Sequence, residues 1–201
     1  MRNVNVLISG AGIAGPALAY WLRHHGFNPT LVERAPAPRP GGHAVDLRGV
    51  AREVADRMGI MAEVRRTTVD ERGAHFVDER GRPVASMPAH GGDGIVAEIE
   101  ILRGDLTRIL YDATREGTEY LFDNSITGLV QRDSGVDVTF ERSTTPRTFD
   151  LVVGADGTHS AVRALAFGEE SAFIRHLGAY TAYFTTPRPP DVGDWFLLHN
   201  A

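Results

Sequence analysis

Apolar residues along the 201-residue chain gather in short runs that stop at glycine. Val4 to Ile8 is nearly continuous in apolar character and ends just before Gly10, as expected of a strand buried on both faces of a parallel sheet. Behind it Ile13, Ala14, Ala17, Leu18, Trp21 and Leu22 recur at three- and four-residue spacing. That period predicts a helix, with Gly26 placed to end it in a left-handed conformation. "FNPTLVER" predicts a second strand that closes on Glu33. The three elements make a β-α-β unit of about 30 residues, whose parallel strands require a right-handed crossover.

Further along, "APAPRPGG" at 35–42 is too rich in proline and glycine for anything but a loop. Val54, Met58 and Met61 predict a helix from Val50 to about Arg66, broken near Gly59. "GAHFVDERGRPVASM" alternates on either side of Glu79-Arg80-Gly81 like a hairpin. "AEIEILRGDLTRILYDATREG" is a short strand running into a helix, with Leu106, Ile109, Leu110 and Ala113 on one face and Gly117 past its end. Strands are predicted at 119–122, 125–132 and 135–141, and another opens "FDLVVGADGTHSAVR", where an apolar run again meets a glycine turn and a helix start. The final stretch, "AYTAYFTTPRPPDVGDWFLLHNA", predicts a strand, a proline turn and a second strand. No internal repeat or low-complexity segment interrupts this order.

Composition narrows the function classes. With 42% apolar and 23% charged residues the chain can bury one good core, or one domain and a piece of another. Net charge is −5 and the arginines are scattered, so the footprint of a nucleic-acid binder is missing. All 21 basic residues are arginine, which excludes lysine Schiff-base chemistry and a Gly-Lys-Ser/Thr phosphate loop. The absence of cysteine excludes disulfides, thiolate nucleophiles and redox-active dithiols. His24, His25, His43, His75 and His90 lack metal-ligand spacing, and no G-x-S-x-G marks an esterase. The N-terminus has no basic leader or cleavage site, and Val4 to Tyr20 is interrupted by Gly10, Gly12, Gly15 and Pro16. A cytoplasmic chain with no membrane partner is expected.

Gly10-Ala11-Gly12-Ile13-Ala14-Gly15 fits G-x-G-x-x-G between a predicted strand and an amphipathic helix, with acidic Glu33 ending the second strand. Gly10 would permit the tight turn, Gly12 the approach of a pyrophosphate, and Gly15 the packing of helix on strand. The N–H groups at Ile13 and Ala14 open the helix toward the phosphate charge, and Glu33 would accept from ribose hydroxyls. An acidic residue there disfavours a 2′-phosphate, so these residues by themselves leave FAD and NAD open and exclude NADP at this turn.

Three motifs in order resemble the class A flavoprotein monooxygenases, the family of para-hydroxybenzoate hydroxylase and the aromatic and polyketide hydroxylases. They are "VLISGAGIAGPALAYWLRHHGFNPTLVERA", closed by Glu33-Arg34; "EILRGDLTRIL"; and "VVGADGTHSAVR", with Asp156, Gly157, Ser160 and Arg163 in place. "RPGGHAVDLRG" is similar to the corresponding loop of the tetracycline-inactivating flavin monooxygenases. The resemblance implies an α/β fold: a Rossmann-like FAD-binding domain of the glutathione-reductase type, with a β-sheet substrate domain that is incomplete in this chain. It implies cofactor-binding roles for Gly10, Gly12, Ile13, Ala14, Gly15, Glu33 and Arg34, and for Arg103 at the FAD pyrophosphate or ribityl chain. Arg39 and Asp46 would lie near the flavin, and Asp156 and Gly157 near the flavin and the incoming nicotinamide. NADPH or NADH would reduce FAD, and dioxygen would then be used to hydroxylate a small aromatic or polyketide-like substrate. No catalytic side chain is assigned, because the cofactor performs the chemistry.

On this resemblance residues 1–170 form the FAD-binding domain, a hairpin at about 66–92 belongs to the substrate side, and 171–201 begin the substrate sheet. Complete family members continue past this length with a Gly-Asp motif, which Gly193-Asp194 followed by Trp195-Phe196 does not match. An unpaired sheet edge, and hence self-association or a requirement for a C-terminal fragment, is expected. The alternatives are an inactive or split flavin-binding module and another FAD oxidoreductase of the superfamily. A halogenase would carry Trp-x-Trp-x-Ile-Pro, and neither Trp21 nor Trp195 sits in one.

Overall fold

The computed structural model describes residues 4–69, 71–89, 99–184, 187 and 192–200. In chain order its elements are β1 (Asn5–Ser9), α1 (Ala14–His24), β2 (Asn28–Val32), β3 (Ala44–Asp46), α2 (Val50–Arg57), α3 (Met61–Arg66), β4 (Gly73–Val77), β5 (Pro83–Pro88), β6 (Glu100–Leu102), α4 (Arg103–Asp112), β7 (Glu119–Leu121), β8 (Ile126–Arg132), β9 (Gly135–Phe140), β10 (Ser143–Phe149), β11 (Leu151–Gly154), α5 (Ala161–Phe167) and β12 (Trp195–Leu198). The chain divides into two compact units: residues 1–40 with 106–180, and residues 41–105 with 181–201.

The first unit is built on a parallel sheet of order β11-β1-β2-β7. Alternation along β1 sends its side chains to two different cores. Val6 and Ile8 pack with Ala11, Ala19 and Leu31. Leu7 packs on the other face with Val32, Ile126, Val138, Phe140, Phe149 and Val162. That second layer comes from the antiparallel sheet β10-β9-β8 and from α5. Because both faces are covered, β1 reads as one apolar run instead of an alternating one. Glu119 on β7 links three strands: it accepts from Thr30 Oγ1 at 3.0 Å and from both terminal nitrogens of Arg147 on β10, at 3.0 and 2.7 Å. Those Arg147 hydrogen bonds hold the Glu119 carboxyl below its ordinary range.

The second unit holds two smaller sheets, the antiparallel pair β3-β6 and the three-stranded β12-β4-β5. In the latter β12 runs parallel to β4, and β4 and β5 form the expected hairpin. Gly59 has φ of 73°, and the helical pattern of 50–66 is split there into α2 and α3.

Three expectations need correction. Residues 179–184 form no strand; Tyr180, Tyr183 and Phe184 are 92%, 68% and 87% exposed, so an alternating apolar pattern finds no partner there. Between β9 and β11 lies β10, which the residue pattern did not predict, since it is mostly exposed and contains Pro146. The register on β9 slips between Ser143 and Arg147, and such irregular edge positions are where a strand tolerates proline. Short β3 was likewise not predicted. His90 and most of the proline turn at 185–191 lie outside the described residues. Among the described residues no helix is long and apolar enough to cross a membrane.

Candidate functional site

In the first unit the two glycine turns back onto each other. Parallel pairing sets Ser9 beside Gly154, so both chains turn at the same end of the sheet. Gly10 has φ of 106° and donates to Val32 O at 2.8 Å. A Cβ on Gly10 would lie 2.5 Å from Ala155 O and 2.8 Å from Asp156 Cα. Gly15 is as tightly constrained: its Cβ would meet Gly10 O at 1.9 Å and Leu31 Cδ2 at 3.0 Å. Both glycines are therefore required by close backbone approach, whatever else the turn binds.

The helix α1 begins behind this turn with no side chain capping it, and its first turn carries no acidic residue. Uncapped N–H groups at the start of an 11-residue helix attract an anion through their partial positive charge. Glu33 holds the turn from the other side. Its Oε2 accepts from Ala11 N at 2.9 Å, while Oε1 accepts from Ala35 N at 2.9 Å and from Arg39 at 3.3 Å. Arg34 is exposed.

The Asp156 carboxylate is occupied by the protein itself. Its Oδ2 accepts from Ser9 Oγ at 3.2 Å, Ala161 N at 2.8 Å and Val162 N at 3.2 Å, and Oδ1 accepts from Ser160 Oγ. Ser160 in turn caps α5 by accepting from Arg163 N at 3.0 Å. Gly157, with φ of 82°, supplies the left-handed step between strand and helix. Arg163 folds back to donate to Thr158 O at 2.8 Å and Glu170 Oε2 at 3.0 Å, and lies over Phe173. The side chains of this motif hold the turn's shape.

In the second unit Arg103 starts α4 directly after β6. Its N–H donates to His43 O at 3.0 Å, and a Cβ on Gly42 would lie 3.4 Å from its own. The Arg103 side chain is half-buried, with no hydrogen-bond or ion-pair partner among the described residues. His43 also stacks on Tyr183 at 4.4 Å between ring centres. Asp46 ends β3, where its Oδ2 accepts from Arg48 Nε at 2.8 Å.

The structure thus joins Gly10, Gly15, Glu33, Arg39 and Asp156 in one unit, and Gly42, Asp46 and Arg103 in the other. Ser9 and Glu170 escaped sequence reasoning: the partner of Ser9 lies 147 residues along the chain, and Glu170 sits in a short turn after α5 that no local pattern announces.

A family model described as "FAD binding domain" matches residues 3–193. The chain belongs to this FAD-binding family. Among curated relatives, uncharacterized protein Rv1260 of Mycobacterium tuberculosis is 48% identical over 198 residues, covering 96% of this chain and 53% of that protein. Flavin-dependent monooxygenase eupH of Phoma sp is 42% identical over 210 residues, covering 99% of this chain and 49% of its own length. Among solved structures, tetracycline destructase Tet(51) is 41% identical with a TM-score of 0.70, covering 82% of this chain and 41% of that one. This FAD-binding chain spans about half the length of the curated relatives it matches.

Proposed function

We propose that the chain is the FAD-binding portion of a flavin-dependent, NAD(P)H-using monooxygenase that hydroxylates a small aromatic or polyketide-like substrate. The observation that carries this reading is the uncapped α1 N-terminus behind a glycine turn that is itself backed by Ala155-Asp156. The N–H groups from Gly12 to Ala14 would hold the pyrophosphate, and Glu33, already fixed by Ala11 N, would present its remaining lone pairs to ribose hydroxyls. Arg103 would neutralise phosphate charge, while Arg39, Asp46 and the Asp156-Gly157 backbone would orient the flavin end. Arg34 is assigned to the same adenosine side.

Bound FAD would supply hydride acceptance from the nicotinamide nucleotide and activation of dioxygen. The chain's own contribution is binding, orientation and exclusion of water, which is consistent with assigning no general acid or base. Residues 1–170 are proposed as the FAD-binding domain, with the hairpin at 66–92 and residues 171–201 on the substrate side. The pairing of β12 with β4 supports joining hairpin and tail. The outer edge of β12 would receive further strand pairing, either from another copy or from a C-terminal portion like that of the longer relatives.

Titration of the purified chain with FAD, followed by flavin fluorescence, tests the reading. Saturable quenching is expected, and Glu33→Gln should raise Kd about tenfold by weakening charge-assisted hydrogen bonds. A sample that stays colourless after incubation with FAD and desalting overturns it. NADPH oxidation with peroxide release by the flavin-loaded chain would extend the reading from binding to redox chemistry.

A further inference from the structure

Within the second unit, strand register sets Asp46 of β3 directly opposite Glu100 of β6. Glu100 is only 7% exposed and lies between Ile99 and Ile101, at 1% and 0%. Three described residues meet β6 from its other side: Thr68 bridges to Ile101, Val69 N donates to Glu100 O at 2.8 Å, and the Glu71 carboxyl lies within hydrogen-bonding reach of the Glu100 carboxyl. Two ionised carboxylates have no proton to share, so this contact requires one of the acids to be neutral. A second observation agrees. Glu71 Oε2 is buried and receives no hydrogen bond from a backbone N–H or a cationic side chain of the described residues, a position costly for an anionic oxygen and far less so for a neutral acid. Among the described residues, the charged groups acting on Glu71 are Glu100 from β6 and Asp46 from β3, and Asp46 in turn engages Arg48 Nε.

We propose that Glu71 and Glu100 hold one proton between them, and that this neutral-acid and carboxylate pair locks the β3-β6 ladder, making both glutamates positioning residues for Asp46. The part of the inference that connects Asp46 to the flavin rests on the function proposed above; the shared proton does not. Burial first, then the Glu100 hydrogen bond and charge, raise the Glu71 carboxyl to about 8, with Asp46 adding to the shift. Loss of the proton would leave Asp46, Glu71 and Glu100 as adjoining negative charges, and the ladder would loosen under their repulsion.

The sign follows from linkage. An acid whose folded value lies above its unfolded one makes the protein less stable as pH rises from about 4.5 to about 8, and the loss levels off above that. Infrared titration of the 201-residue chain should show a protonated-carboxyl band persisting at neutral pH and disappearing near pH 8. That band should be absent in Glu71→Gln, and in Glu100→Gln it should titrate at lower pH. Over the same range the wild-type unfolding constant should rise several-fold per pH unit relative to Glu71→Gln, up to about tenfold. Absence of the band at neutral pH, or identical pH slopes in wild type and variant, overturns the shared proton. If Glu71→Gln fails to fold, the wild-type infrared titration decides alone. FAD affinity that falls above pH 8 in wild type but not in Glu71→Gln supports the link to the flavin. FAD affinity with no such pH dependence refutes that link, whereas no FAD binding at any pH refutes the functional reading and leaves the proton test standing.

Discussion

Replacing Asp156 separates a structural carboxylate from a cofactor ligand. In Asp156→Ala four donors lose their acceptor: Ser9 Oγ, Ser160 Oγ, Ala161 N and Val162 N. Water can reach Ala161, but Ser9 is 7% and Val162 6% exposed, so their donors are left largely unsatisfied. Two such donors at about 1 kcal/mol each, and about 1 kcal/mol for the weakened start of α5, give a loss near 3 kcal/mol. With an m-value of about 2 kcal/mol/M, the urea midpoint should fall by about 1.5 M. Asp156→Asn should cost only about 1 kcal/mol, because its amide oxygen can take the Oδ2 position and its NH2 can face Ser160 Oγ. Circular-dichroism unfolding in urea measures both. FAD affinity should fall with stability, because Gly10 packs against the Asp156 backbone. If Asp156→Ala stays within about 0.5 kcal/mol of wild type while FAD binding collapses, the carboxylate touches the cofactor and the capping argument is wrong.

Gly15→Ala would force a methyl to within 1.9 Å of Gly10 O. Separation of α1 from β2 is the expected response, seen as loss of at least about 3 kcal/mol or of soluble protein on size-exclusion chromatography. Arg147→Ala should cost only about 0.5–1 kcal/mol in urea unfolding at neutral pH, since the pair with Glu119 is about half exposed. It should also flatten the acid limb. Glu119 titrates below its ordinary range, so its stabilisation is present above that range and disappears as pH falls through the folded value, a loss that should be smaller in the variant, where only the Thr30 hydrogen bond still lowers it.

The parts of the fold that could be read locally are those in which one segment carries its own period. The continuous apolar run of β1 and the helical spacing of α1 announced a covered parallel sheet, and Gly26, with φ of 81°, ends the helix region as its position suggested. β10 escaped because its stability comes from Phe149, 3% exposed, and from partners on β9, while its remaining residues are polar. Residues 179–184 misled for the opposite reason, since period-two alternation describes a possible strand without supplying a neighbour to pair with. At the site, the glycine turn after β1 and the strand-turn-helix order that leads into α5 were legible because each is written in consecutive residues. The contact of Ser9 with Asp156 arises only from the pairing of β1 with β11, and that of Glu71 with Glu100 from the approach of residues 68 and 69 to β6. Their chemistry was invisible in residue order.

The placement of β11 beside β1 has a consequence for synthesis. The central strand of the first unit is made well before β11, so one of its edges stays open until residues 151–154 are available. Leu7, fully buried in the finished protein, likewise waits for Phe140 and Phe149. At about 5–20 residues per second, the nascent chain carries this unpaired apolar strand for roughly 8–30 s. The interval of exposure to aggregation is therefore set by strand order, and it falls on the segment that also carries the glycine turn.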